Sequence, residues 1–203
     1  MTDRPTRPGV HLRRPSAAGI AALLVSDGLA FSYPELGASA DLDSADARAA
    51  LAPRYDIDRR EYDLGRGRAL FERARAALLA WRQFEIPWLE LYGVGPVVPG
   101  RTVATLLPLS RLWFLSPCRV VYAELDPGGD AVAYAYGTLQ GHPESGEERF
   151  ALSFDPATEA VHYRVAAFSR PARLFSKLGY PFARRLQARF AVASARALER
   201  ASR

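Results

Sequence analysis

Tyr136-Gly-Thr-Leu-Gln-Gly-His-Pro-Glu-Ser-Gly-Glu-Glu-Arg-Phe150 is the stretch on which the reading of the fold turns. Before it, residues 131–139 alternate. Val132, Tyr134, Tyr136 and Thr138 share one face, and Ala133, Ala135 and Gly137 the other. After it, residues 148–155 bring Phe150, Leu152 and Phe154 together. A period of two on both sides predicts two half-buried strands. Gly141, Pro143 and Gly146 punctuate the join, so the segment reads as strand–turn–strand. The small face at Ala133, Ala135 and Gly137 leaves room for the close approach of a helix or a ligand.

The same alternation continues outward. Residues 54–64, 88–94, 101–107, 118–126 and 161–168 also read as strands. Pro127-Gly-Gly-Asp130 and Asp155-Pro156 supply the turns. Upstream, Phe71, Ala74, Leu78 and Trp81 form an apolar stripe, which predicts a helix over 68–84, stopped by Pro87. Ser16 is placed to cap a helix over 17–25, and residues 41–51 read as a brief helix or a loop. Ser169 and Pro171 look like a cap and first helical turn, with Gly179-Tyr-Pro181 as an interruption. A long terminal helix then carries Leu178, Phe182, Leu186, Phe190, Ala193 and Ala197 on one side. Arg185, Arg189, Arg196 and Arg200 lie on another.

A run of strands followed by a helix argues for α+β, with the helix packed on one sheet face. The expected architecture is a curved antiparallel sheet of about six to seven strands gripping the terminal helix. This is the helix-grip arrangement, with a hydrophobic cavity between the two. The 203 residues are expected to form one domain over 29–203, after an extension over 1–28 that is disordered in its first 15 residues. At 49% hydrophobic and 24% charged, the composition is that of an ordinary globular protein. The net charge of +5 is uneven. Residues 170–203 hold nine basic groups against Glu199, whereas 15–169 hold fourteen basic against twenty acidic. The overall charge is therefore a poor argument for nucleic acid.

Cys118 is the sole cysteine, which excludes an internal disulfide and a multi-cysteine zinc site and suits a reducing cytoplasm. Arg13-Arg14, the apolar run 17–25 and Ala38-Ser39-Ala40 mimic a leader peptide. Asp27, Tyr33-Pro34 and Glu35 separate run from cleavage site too far, and the run is too short to span a bilayer.

Four groups of residues could carry chemistry. His142 with Glu144, Glu147 and Glu148 could act in acid–base work or bind a cation, but a polar turn is the plainer explanation. No second histidine cluster supports a metal. Arg170 leaves a strand where a helix is expected to begin, and could bind an anion there. Arg66 and Arg68, around Gly65 and Gly67, lack the lysine of a phosphate loop. The aromatic set Trp81, Trp88, Tyr92, Trp113, Tyr134 and Tyr136 could line an apolar cavity or simply pack a core. The arginine face of the last helix reads first as a solvated surface.

Several motifs, in order over residues 30–200, resemble the uncharacterised family known as domain of unknown function nineteen-ninety. They are Tyr33-Pro-Glu-Leu-Gly-Ala-Ser39, Leu64-Gly-Arg-Gly67 with Phe71, Ala74 and Trp81, and Tyr136-Gly-Thr-Leu139. Gly141-His-Pro143, Gly146-Glu-Glu-Arg-Phe150, Phe168-Ser-Arg-Pro171 and the pair Arg185 and Gln187 complete the set. Ser39 stands where the family often has threonine. The resemblance implies kinship with helix-grip domains of the START and Bet v kind, and supplies no catalytic residues.

The first expectation is a cytoplasmic domain binding a small apolar or lipid-like ligand, without cofactor or metal. Its lining would be Trp81, Trp88, Tyr92, Tyr134, Tyr136, Thr138, His142 and Arg170. The second is an enzyme in the same cavity, with His142 and Glu147 as the acid–base pair. The third is an interaction module using the arginine helix. Neither nucleic acid nor stable membrane insertion is expected, and the oligomeric state stays open.

Overall fold

The turns are written locally, and they set the hairpins. Between the fifth and sixth strands, Gly128 takes a left-handed φ of 91° and the Gly129 amide donates to the Asp126 carbonyl at 3.2 Å. After the seventh, Asp155 accepts from the Ala157 amide at 2.9 Å and from the Thr158 hydroxyl at 2.7 Å. The computed structural model describes residues 6–26, 28–172 and 180–203.

Within them lie β1 (Gly9–His11), α1 (Ala17–Leu24), α2 (Ala45–Leu51), β2 (Asp56–Arg66) and α3 (Arg68–Leu79). β3 (Glu90–Tyr92), β4 (Thr102–Leu109), β5 (Leu112–Leu125), β6 (Ala131–Thr138), β7 (Glu144–Phe154), β8 (Ala160–Pro171) and α4 (Tyr180–Ser202) follow. The strands form one antiparallel sheet in the order β2-β8-β7-β6-β5-β4-β3, with β1 paired to β5. Register shifts between Asp63 and Gly65 and between Val120 and Tyr122 mark irregularities of the kind that bend a strand and raise its twist. The architecture is α+β, a curved sheet holding its terminal helix.

The inner face packs on α3 and α4. Val103, Cys118, Val132, Tyr134, Tyr136, Phe150, Leu152, Phe154, Val161, Tyr163 and Val165 meet Phe71, Ala74 and Leu78 of α3 and Ala195 and Leu198 of α4. Tyr134, Phe150 and Tyr163 are fully buried. Each side chain of that size contributes roughly 2 kcal/mol through burial. The outer face is covered by the N-terminal third of the chain. Ile20 and Leu23 of α1 pack on Ala104, Leu106 and Leu115, while Tyr33, Leu42, Leu51 and Tyr55 pack on Phe168. Ser16 caps α1, its hydroxyl accepting from the Gly19 amide at 3.1 Å.

Four local expectations change. Residues 9–11, patternless in the sequence, add β1 to β5. The 68–84 helix stops at Leu79 because Trp81 turns left-handed at φ 62°. That turn drops its indole 5.0 Å from the Tyr134 ring and aims its N–H at the Gly95 carbonyl, 2.8 Å away. β5 begins six residues before Cys118, at Leu112. Ser169 and Pro171 do not open a helix: β8 runs through both, paired to Gly146 and Glu144. A helical turn after Pro171 falls partly outside the described residues, as does Gly179 of the expected interruption, and α4 begins at Tyr180. No described helix is long and apolar enough to cross a membrane.

The small face of β6 points outward, and what approaches it is a tyrosine. A Cβ on Gly137 would stand 2.0 Å from the Tyr33 hydroxyl oxygen. Gly137→Ala is therefore expected to cost about 2 kcal/mol or more through overpacking. Urea denaturation measures it, and a loss under roughly 0.5 kcal/mol, the range of a neutral surface change, would show that Tyr33 does not sit there.

Candidate functional site

Strand parity divides the two adjacent glutamates of β7 between the two faces. Glu148 shares the inner face with Phe150 and Leu152, and Glu147 goes outward with the residue opposite it, Phe168. Glu147 is 2% exposed. Its Oε2 accepts from the Tyr33 hydroxyl at 2.6 Å and the Gly37 amide at 2.9 Å, and its Oε1 accepts from the Ser39 amide at 3.0 Å. Burial, then the charge of Glu147, pushes the Tyr33 phenol far up, so it stays a donor. The carboxylate ties the Tyr33–Ser39 motif down onto the sheet. Ser39 continues the tie with its hydroxyl 2.9 Å from that of Tyr122.

Glu144 and Glu148 face α4. Tyr136, opposite Glu148 across the β6–β7 ladder, donates its hydroxyl to Glu148 Oε2 at 2.7 Å. Glu144 Oε2 accepts from Gln187 Nε2 at 2.6 Å. The orientation of that amide is fixed. Arg184, paired with Asp58, donates to Gln187 Oε1 at 2.9 Å, which leaves the NH2 group for Glu144 and for Ser169 Oγ at 3.1 Å. Among the described residues, Oε1 of Glu144 and Oε1 of Glu148 make no hydrogen bond. Both side chains are half-buried. Burial pushes each carboxyl from the ordinary 4.5 to about 7, against the hydrogen bonds of Gln187 and Tyr136. Buried Cys118 lies on the same face, its thiol pushed well up by burial and then by these carboxylates.

The other expected site residues scatter. Trp81 and Tyr134 lie in the core under the inner face. Trp88 lies 4.9 Å beneath the Arg189 guanidinium of α4. Tyr92 packs with the α1 cluster on the outer face and donates to Glu90 at 2.7 Å. Thr138 ties the end of the ladder, accepting from the Gly146 amide at 2.9 Å. His142 holds its own turn: Nδ1 accepts from the Glu144 amide at 2.9 Å. Burial lowers its pKa to about 4, so the ring is neutral near pH 7. No hydrogen bond joins His142 to Glu147, whose oxygens are taken by Tyr33, Gly37 and Ser39. Arg170 leans over the Tyr55 ring on the outer face, at 5.0 Å. The geometry therefore joins Tyr136 to Glu148 and His142 to Glu144, but it sets the expected pair His142 and Glu147 to separate tasks. Trp113 lies outside as well, under Arg14 at 5.3 Å. Arg185, Arg189, Arg196 and Arg200 are exposed. No group of three or more metal-binding side chains comes together among the described residues.

Arg184 and Asp58 went unread in the sequence because their partnership crosses from α4 to β2. Glu148 was legible by parity, since an inward Phe150 and Leu152 require an inward Glu148 and an outward Glu147.

A family model described as "Domain of unknown function (DUF1990)" matches residues 32–197. A UPF0548 protein of Dictyostelium discoideum is 34% identical over 177 residues, covering 81% of this chain and 82% of its own. A UPF0548 protein of Deinococcus radiodurans is 36% identical over 203 residues, covering 94% and 98%. Among solved structures, TTHA0849 of Thermus thermophilus superposes with a TM-score of 0.52 at 11% identity, over 72% of this chain and 97% of its own. The Zhui aromatase/cyclase of Streptomyces sp. R1128 also reaches 0.52, at 14% identity, over 73% and 94%. At such identities the likeness is one of fold.

The inward carboxyls set a pH dependence. Their folded pKa values lie above the unfolded ones, so the folded chain binds more protons between about 4.5 and about 7. Stability from these groups is full below 4.5, falls as pH rises through that window, and is flat above it. His142, lowered from 6.5 to about 4, works in the opposite direction over its own window. Glu148→Gln is expected to raise stability by on the order of 1 kcal/mol at pH 8 and by much less at pH 4.5. Denaturant midpoints at the two pH values measure this, and an equal effect at both would contradict the inward placement.

Proposed function

The chain belongs to the family described as a domain of unknown function (DUF1990), and on that footing we propose that it binds a small, largely apolar molecule between the sheet and α4. Glu144 and Glu148 carry the reading. They are two half-buried inner-face carboxyls, each held by one neutral donor and each with an oxygen unengaged among the described residues. A polar group at the end of an apolar enclosure fixes the orientation of a ligand and supplies its specificity. The wall is apolar: Tyr136 stands beside Glu148, and half-buried Leu91, Thr105, Leu107 and Phe114 continue the face along β3, β4 and β5. Trp81 and Tyr134 form the packed floor. The ligand is an apolar or aromatic body bearing a hydroxyl or amine that donates to the free carboxyl oxygens. Residues 29–203 act as one binding domain, and the single unpaired cysteine fits a cytoplasmic setting.

A second reading, an enzyme acting on such a ligand, is favoured by one observation. A carboxyl at about 7 is matched to proton transfer at neutral pH, and Glu148 has a phenol beside it. The Zhui protein is named an aromatase/cyclase, so a protein of this fold can be an enzyme. Here Glu148 takes the acid–base role expected of His142 and Glu147.

Native mass spectrometry of the purified full chain is expected to reveal a co-purifying small apolar molecule. Binding of that molecule is expected to weaken about tenfold in Glu148→Gln and in Tyr136→Phe, the worth of one hydrogen bond to a charged group. A chain that is always empty, or variants that bind as the parent does, would overturn the reading. Turnover lost in Glu148→Gln with binding retained would select the enzyme.

A further inference from the structure

A depression lies on the outer side of the sheet, and the proposed inner site does not account for it. It encloses about 830 Å³ and is lined by Phe31, Ser32, Arg54, Gln140, Gly141, His142, Ser145, Arg170, Pro171 and Ala172. Among the described residues the lining holds two arginines and no carboxylate. Arg54 is partly neutralised by Glu35 at 2.5 Å. Arg170 makes no ion pair among the described residues. Both guanidiniums lie over the ring of Tyr55, at 5.8 and 5.0 Å.

His142 adds a ring nitrogen to the polar lining. Its Nδ1 lies 2.9 Å from the Glu144 amide and 3.0 Å from the Glu144 carbonyl oxygen, so the ring is held by its own turn. Its Nε2 has no hydrogen-bond partner among the described residues. The Ser145 hydroxyl is spent on the Ser32 carbonyl at 2.8 Å, which fixes the wall beside it. Phe31 and Pro171 provide apolar surface, and the volume exceeds that of a bare inorganic anion.

From this juxtaposition of Arg54, Arg170 and the His142 Nε2 around a depression whose described lining carries no carboxylate, we propose an outer-face site for a small organic phosphate ester. The guanidiniums meet the phosphate oxygens with charge-assisted hydrogen bonds, as planar donor forks suit that group. The site stands apart from the proposed inner one, because Ser145 and Arg170 lie on the opposite face of β7 and β8 from Glu148.

The test uses the full chain and two probes, phenyl phosphate and inorganic phosphate, with phenol as the neutral control. Amide NMR shifts locate binding and calorimetry gives affinity. Phenyl phosphate is expected to saturate with shifts at Gly141, His142 and Ser145, and phenol to leave them unmoved. Arg170→Gln and Arg54→Gln, both at exposed positions, are each expected to weaken it about tenfold. Glu148→Gln is expected to leave it unchanged, which separates this site from the inner one. Inorganic phosphate moving the same amides more weakly supports an ester with an apolar body. Inorganic phosphate binding as tightly as the ester would overturn the organic ligand. No saturable shift at millimolar probe, or arginine variants that bind as the parent does, would overturn the site itself.

Discussion

Glu147 is the point to which the outer half of the molecule is tied. One buried carboxylate accepts from a tyrosine hydroxyl and from two backbone amides, those of Gly37 and Ser39. Three donors around an ion compensate much of the cost of taking it out of water, and none can leave without exposing that cost. The covering segment from Phe31 to Tyr55 can then lay Tyr33, Leu42, Leu51 and Tyr55 on Phe168. Gly137 has no side chain because the tyrosine that reaches Glu147 passes over it.

Fixing Glu147 outward fixes Glu148 inward, since successive strand residues point to opposite faces. The same three-residue run Gly146-Glu147-Glu148 therefore builds a structural anchor on one side and a chemically able carboxyl on the other. Gly146 contributes by absence: a Cβ there would sit 1.9 Å from the Phe168 carbonyl. The inner carboxyls are handled differently from Glu147. Each has one neutral donor among the described residues, and burial raises its pKa to about 7. A group left this way on a mostly apolar face is costly to the fold, and that cost is what supports the proposed ligand site.

Much of this was legible in the chain. Alternation at Val132–Tyr134–Tyr136 and at Phe150–Leu152–Phe154 marks β6 and β7, and their shared apolar face marks the helix side. Where reading failed, a non-local contact decided the outcome. Trp81 sits in a good helical stripe, yet it ends α3 because its indole finds Tyr134 and the Gly95 carbonyl. Ser169-Arg170-Pro171 has the local marks of a helix start, yet pairing with β7 keeps it extended. The three residues of β1 are too few to show a period. That Glu147 turns away from the helix side follows from parity, which the sequence already contained. The Arg184–Gln187–Glu144 relay depends on how α4 lies across the sheet, and no local pattern encodes that.

The central claim is that adjacent glutamates serve opposite faces, with Glu148 enclosed between sheet and helix. The carboxyl ¹³C resonance of Glu148, assigned by its loss in Glu148→Gln and followed against pH, tests this most directly. The account predicts a titration midpoint near 7. A midpoint near the ordinary 4.5 of a solvated glutamate would contradict it.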